Sequence, residues 1–278
     1  MNTIEKKYRL LDDDTTIVDG RTLYRIEALI DFANVKKGDK GGFIESVENL
    51  SQEGDCWVYG NAVLCGRAEV YGDAEVRDNA EVYGDAEVCD DAKVYGDAEV
   101  YGDAEVYGDA EVYGDAEVYG DAEVYGDAEV YGDAVVCDNA EVYGNAVVCG
   151  NTEVYGDAVV YGDAVVCGNA KVCGNAEVCD DAKVYGDAKV YGGAVICGDA
   201  EISDKEGYYV SKNIWSSGRY FTYTRSNKMW RVGCFHGTGN ELIEKAYQDS
   251  KVSGREYERV VKYVEAMYAD LEKDKSKD

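Results

Sequence analysis

One histidine, ten cysteines and rows of evenly spaced carboxylates are the groups in this 278-residue sequence that could do chemistry. His236 is the sole histidine, and general-base catalysis needs such a group held in a cleft. Glu69, Glu87, Glu105, Glu123 and Glu141 recur eighteen residues apart. Carboxylates can drive hydrolysis when burial splits their pKa values, and a regular exposed row lacks that burial. The cysteines show no C-x-x-C spacing, so no metal site and no cofactor is expected. Recognition chemistry is concentrated near the C-terminus. Residues 207–240 carry five Lys or Arg and no Asp or Glu, interleaved with aromatics. Lys212, Trp215, Arg219, Tyr220, Arg225, Trp230, Arg231 and His236 are therefore candidate binding residues, because cations grip anionic groups while rings stack. The same side chains could instead dock onto an acidic surface or pack as a core.

The elements that must position these groups follow from a six-residue period. The unit V-Y-G-D-A-E appears six times without change over Val94–Glu129. An aliphatic residue recurs every sixth position from Val58 to Ile202, twenty-five times without insertion, and alanine stands two before it from Ala62 to Ala200 except at Thr152. Ala-Glu-Val-Tyr alternates as a strand does, Ala and Val inward, Glu and Tyr outward, and Gly-Asp or Gly-Asn supplies a bend. One Gly and one Val in every six residues make poor helix. Short strands with regular corners satisfy their backbone by stacking into a solenoid with rungs about 4.8 Å apart.

This repeat resembles the hexapeptide-repeat left-handed parallel β-helices, whose aliphatic and small positions are matched by Val100 with Ala98 and Val106 with Ala104. The resemblance implies a left-handed triangular solenoid with eighteen residues per coil, and association as trimers. Acyltransferases of that family use a histidine base and loops extruded from the coils. Residues 58–202 contain neither, so the fold transfers and the site does not. A degenerate acyltransferase stays open as one alternative. The V-x-G-x-A shaft with flanking modules also resembles phage and prophage proteins.

The expected organisation is an N-terminal cap over 1–41, a mainly β solenoid of about nine coils over 42–206, and a small α+β domain over 207–278. Extending the frame backward aligns Cys56, Leu50 and Ile44 with alanine positions, and Gln52 and Ser46 with aliphatic ones, large and small having traded places. "TLYRIEALIDF" reads as a strand or short helix. "RYFTYTRSNKMWRVGCF" reads as a hairpin turning at "RSNK", followed by helices over 241–249 and 254–273.

The chain's net charge of −29 lies in the shaft: residues 54–206 hold 36 acidic and 7 basic groups. Adjacent glutamates of one column repel by roughly 0.9 kcal/mol in water. Such a surface excludes direct binding of bare nucleic acid or an anionic membrane. Its density, about one charge per 1.4 Å, is near that of duplex DNA, so DNA mimicry or sequestration of a host protein or nucleotide is a second alternative. Val147 and Val165 replace outward glutamates beside Cys149 and Cys167, an apolar patch expected to mark self-association. "MNTIEKKYRLLDDDTT" shows no apolar leader, so reduced thiols and a cytoplasmic location are expected. The leading expectation is a non-enzymatic interaction protein, trimer favoured, whose head binds a host protein or an anionic small ligand.

Overall fold

In the computed structural model, residues 6–275 are described. Residues 1–5, where the expected cap begins, and 276–278, where the C-terminal domain ends, lie outside them. Strands β1 (Tyr8–Val18), β2 (Arg21–Ala28) and β3 (Lys40–Ile44) precede twenty-five short strands, β4–β28, running from Trp57–Val58 to Glu201–Ile202 at one per hexad. Then come β29 (Tyr208–Lys212), β30 (Tyr220–Thr224), β31 (Met229–Val232) and β32 (Phe235–Gly237), and helices α1 (Gly239–Asp249) and α2 (Lys251–Lys275).

Each shaft sheet takes every third strand, and partners such as Val94 and Val112 are parallel and eighteen residues apart. Three hexads thus close one turn, and the solenoid makes about nine turns with three parallel sheets as its faces. The interior is alternating valine and alanine, all but inaccessible from Ala62 to Ile202. Close packing leaves no room for larger side chains. Thr152, the exception, is fully buried and donates its hydroxyl to the Cys149 carbonyl at 2.7 Å, which satisfies the added polar group.

The corners explain the glycines. Gly114 has φ +77°, and a Cβ there would lie 3.0 Å from the Gly132 nitrogen one coil up. Asp78, Asp90, Asp138 and Asp180 take the same left-handed conformation. Each accepts the N–H of the glycine eighteen residues on through its carboxylate, at 3.1–3.4 Å, a bond to the next coil that a glycine at the same corner could not make.

At the N-terminal end the register differs from the expected frame. Ile44 pairs with Leu64 and Leu50 with Val70, twenty residues apart. Large and small residues have not traded places: two extra residues in the loop after Leu50 restore the phase, so Leu50 and Ile44 hold ordinary aliphatic positions. Gln52 instead accepts the Lys7 N–H, and Ser46 leads into the short helical turn Val47–Asn49. The alignment of Cys56 with the alanines holds, since Trp57 pairs with Glu75. "TLYRIEALIDF" is strand as far as Ala28, pairing antiparallel with β1 and β3 so that the hairpin continues one shaft face. Tyr8, Ile26, Ala28 and Val35 cover the open end of the core beside Trp57.

Beyond Ile202, β29–β32 form an antiparallel sheet backed by the two helices. The expected hairpin is β30–β31. Phe221, Trp230, Leu242, Val261 and Val264 form its core. Helix α2 begins before Gly254, because the Ser250 hydroxyl accepts the Ser253 N–H and caps it. Gly254 is helical and lets the Tyr247 ring pack against the backbone.

Candidate interaction surface

The carboxylate column Glu69–Glu87–Glu105–Glu123–Glu141 is one continuous row in register. Phenols hold it. Tyr71, Tyr107 and Tyr125 donate to Glu87, Glu123 and Glu141, at 2.8, 2.8 and 3.2 Å. The phenols also stack: Tyr107–Tyr125 here, and Tyr95–Tyr113 on another face, lie 4.8 Å apart with their rings nearly parallel. Sixteen residues before Glu105 and Glu81 stand Cys89 and Cys65, which carry no phenol. Both carboxyls are pushed up, first by burial and then by neighbouring carboxylates. This tyrosine–glutamate ladder was not read from the sequence, where the repeat sets tyrosine and glutamate at offsets of four, ten and sixteen alike.

Val147 and Val165 are partners in register, half-buried, with Glu129 below and Lys183 above. Cys149 and Cys167 stand beside them, also half-buried. The apolar patch is thus real as a place in the fold, two rungs high between charged rungs.

In the head, the structure separates the eight candidate residues. Trp230 is fully buried, and its indole N–H donates to Glu265 at 3.3 Å. It is core, because the alternation of β31 turns it toward the helices; as a binding residue it is a correction to the expectation above. Lys212 and Tyr220 are cross-strand partners, the ammonium 5.3 Å from the ring centroid, and the ring covers Gly193 of the shaft. Arg231 and His236 are likewise partners across β31 and β32, and His236 packs over Gly198 of the last coil. Arg225 stands apart, its N–H donating to the Gly207 carbonyl. Arg219 packs along Gly233.

Residues 154–168 match the family model described as the YdcK β-solenoid repeat. That match covers less than one eighteen-residue coil and agrees with the stacked turns around it. None of the curated proteins matches the chain.

The most exposed large apolar side chains among the described residues stand on one loop of the head. Ile214 and Trp215 are 74% and 78% exposed. Asn213, buried beneath them, fixes the loop: its side-chain oxygen accepts the N–H groups of Trp215 and Ser216 at 2.9 and 3.1 Å. Its amide donates to the Ser216 hydroxyl. Ile214 was not singled out from sequence, since an exposed isoleucine is invisible until the loop is built. No helix of the described residues is long and apolar enough to cross a membrane.

Proposed function

We propose that this chain is a non-enzymatic, rod-shaped interaction scaffold, phage-encoded and cytoplasmic, with the solenoid as spacer and charged display surface and the C-terminal domain as binding head. One observation carries the reading: a side-chain-braced loop holds Ile214 and Trp215 out in water beside Lys212 and Arg219. A large exposed aromatic with cations around it is the composition of an interface anchor. The partner is an anionic or acidic-faced host protein or small ligand. Full-length protein and an Ile214→Ser/Trp215→Ala variant, both used as bait in host lysate, should differ by loss of one defined partner at unchanged circular dichroism. An identical captured set would overturn the reading.

Val147, Cys149, Val165 and Cys167 support a self-association surface, a trimer in the hexapeptide-repeat resemblance. Val147→Glu with Val165→Glu restores the prevailing repeat and should yield monomers by sedimentation equilibrium; an unchanged mass removes the patch from the proposal. A second reading, DNA mimicry, rests on the ordered carboxylate columns. It requires the shaft to displace duplex DNA from a host protein in a salt-dependent way. Titration with acetyl-coenzyme A is expected to give no heat.

A further inference from the structure

Three metal-ligating side chains converge where shaft and head meet. The sulfurs of Cys179 and Cys197 and a carboxylate oxygen of Asp180 lie within 4.8 Å of one another. Among the described residues this is the one such group found. The repeat does not supply it automatically. Cysteines also occupy successive rungs at Cys149 and Cys167, but the residues after them are Gly150 and Gly168. Asp90 and Asp138 follow single cysteines whose rung neighbours are tyrosines. The two-rung thiol pair and the corner aspartate coincide here.

Both thiols are buried, at 2% and 3% exposure, while Asp180 is open to solvent, so the group has a closed apolar side and a mouth. His236, packed over Gly198, lines with Cys197 and Arg231 a crevice that has no room for a water.

We propose that Cys179, Cys197 and Asp180 form a site for a thiophilic divalent cation, zinc being the type. Two thiolates and a carboxylate carry three negative charges. A divalent ion and the Arg231 guanidinium balance them, so a half-buried site is left without net charge, which is what burial tolerates. Sulfur ligands select zinc or cadmium over magnesium or calcium. A tetrahedral ion keeps a fourth position for water on the open side at Asp180. Binding releases the thiol protons, and the acidic shaft raises the local cation concentration. The ion would tie the last two rungs together beneath the head. A search for C-x-x-C misses such a site, because rung stacking replaces sequence adjacency.

Full-length protein, reduced and stripped of metal by a chelator, is titrated with Cd2+ and Zn2+. The expected result is one tight equivalent with a cadmium–thiolate charge-transfer absorption and a raised unfolding temperature. Cys179→Ser with Cys197→Ser should abolish the absorption, whereas Cys149→Ser with Cys167→Ser should leave it. Asp180→Asn tolerates the φ of +59° and still offers Gly198 an acceptor, so it folds; it should keep the absorption and weaken binding by about tenfold or more. The proposal is overturned by absence of the absorption in the parent protein, by its survival without both thiols, or by Asp180→Asn binding as tightly as the parent. Isolation of Cys179 and Cys197 as a disulfide under thiol-blocking conditions would overturn it too.

Discussion

A tyrosine of one coil donates its hydroxyl to the glutamate sixteen residues on, and that bond sets how the shaft responds to pH. The phenols of Tyr95, Tyr101, Tyr107 and Tyr113 are pushed well above the usual tyrosine range, by burial first and then by the glutamates they bond. A raised folded value means stability fully present below the unfolded pKa of about 10 and lost as pH rises through the folded one. The urea midpoint should therefore hold up to about pH 9.5 and fall steadily above pH 10, the ladder phenols ionising only alongside unfolding. Glu105 is raised as well, so its charge opposes folding at neutral pH. Glu105→Gln should raise the urea midpoint at pH 7, with the gain vanishing below about pH 4, where the glutamate is protonated in both states. Cys89→Tyr should act in the same direction by giving Glu105 a donor and completing the stack between Tyr71 and Tyr107, worth about 0.5–1.5 kcal/mol. At the corners, Gly114→Ala forces a left-handed alanine against the next coil. It should cost roughly 1–2 kcal/mol from backbone conformation alone, more with the clash, by urea denaturation.

A parallel solenoid is polar, and its two end elements are built for opposite jobs. The N-terminal end leaves carbonyls open, and donors meet them. The buried Lys7 ammonium donates to the carbonyls of Glu53, Gly54 and Cys56 at 3.0–3.3 Å, Tyr8 to Leu50 at 2.6 Å, and Arg25 to Gly41 at 2.7 Å. The C-terminal end leaves N–H groups open, and hydroxyls accept them. Tyr208 takes the Tyr191 N–H at 3.3 Å, Thr222 that of Val195 at 3.0 Å, and Ser226 that of Glu201 at 2.8 Å. The head thus supplies the missing rung with side chains. An orphaned buried polar group costs about 1–3 kcal/mol. Thr222→Val should lose about that much, and Lys7→Met more, since several carbonyls lose their donor together. Hydrogen exchange should localise the loss to the last coil in the first variant and to the first coil in the second.

Across the whole molecule, stability is close to a sum over rungs, because each coil touches only its neighbours. Deleting Val94–Glu111 removes one full turn. The product should keep its fold and its head, shortened by about 4.8 Å in small-angle scattering. Deleting six residues, Val94–Glu99, instead moves every later hexad to the next face. The cap on Val63–Leu64 and the head on the last coil keep their own partners, so the head turns by about a third of a turn relative to the cap, at a urea midpoint close to that of the longer deletion. The net charge of −29 adds self-repulsion along the rod. Raising salt from low ionic strength should therefore stabilise the chain, and a flat salt response would place the charges too far apart to matter.

The period-six pattern determined the solenoid, the valine–alanine core and the outward glutamates, because a strict repeat in one dimension leaves stacking as the one way to satisfy its backbone. Hydrophobic alternation and helical spacing likewise made the C-terminal hairpin and the apolar face of α2 legible, and the hairpin's two antiparallel neighbours followed only with the fold. What the sequence could not carry is anything set by the path of a corner, by a loop that breaks the period, or by which residues meet across the junction. The offset of sixteen between phenol and carboxylate depends on the exact turn of each corner. The twenty-residue register at Ile44 and Leu50 depends on a two-residue loop. Trp230 and Trp215 look alike as basic-flanked aromatics, and only the direction of β31 against the helices buries one, while the Asn213-braced loop exposes the other. Eighteen residues per coil already make Cys179 and Cys197 rung neighbours in the sequence, and only the fold brings the Asp180 carboxylate, Arg231 and His236 to them.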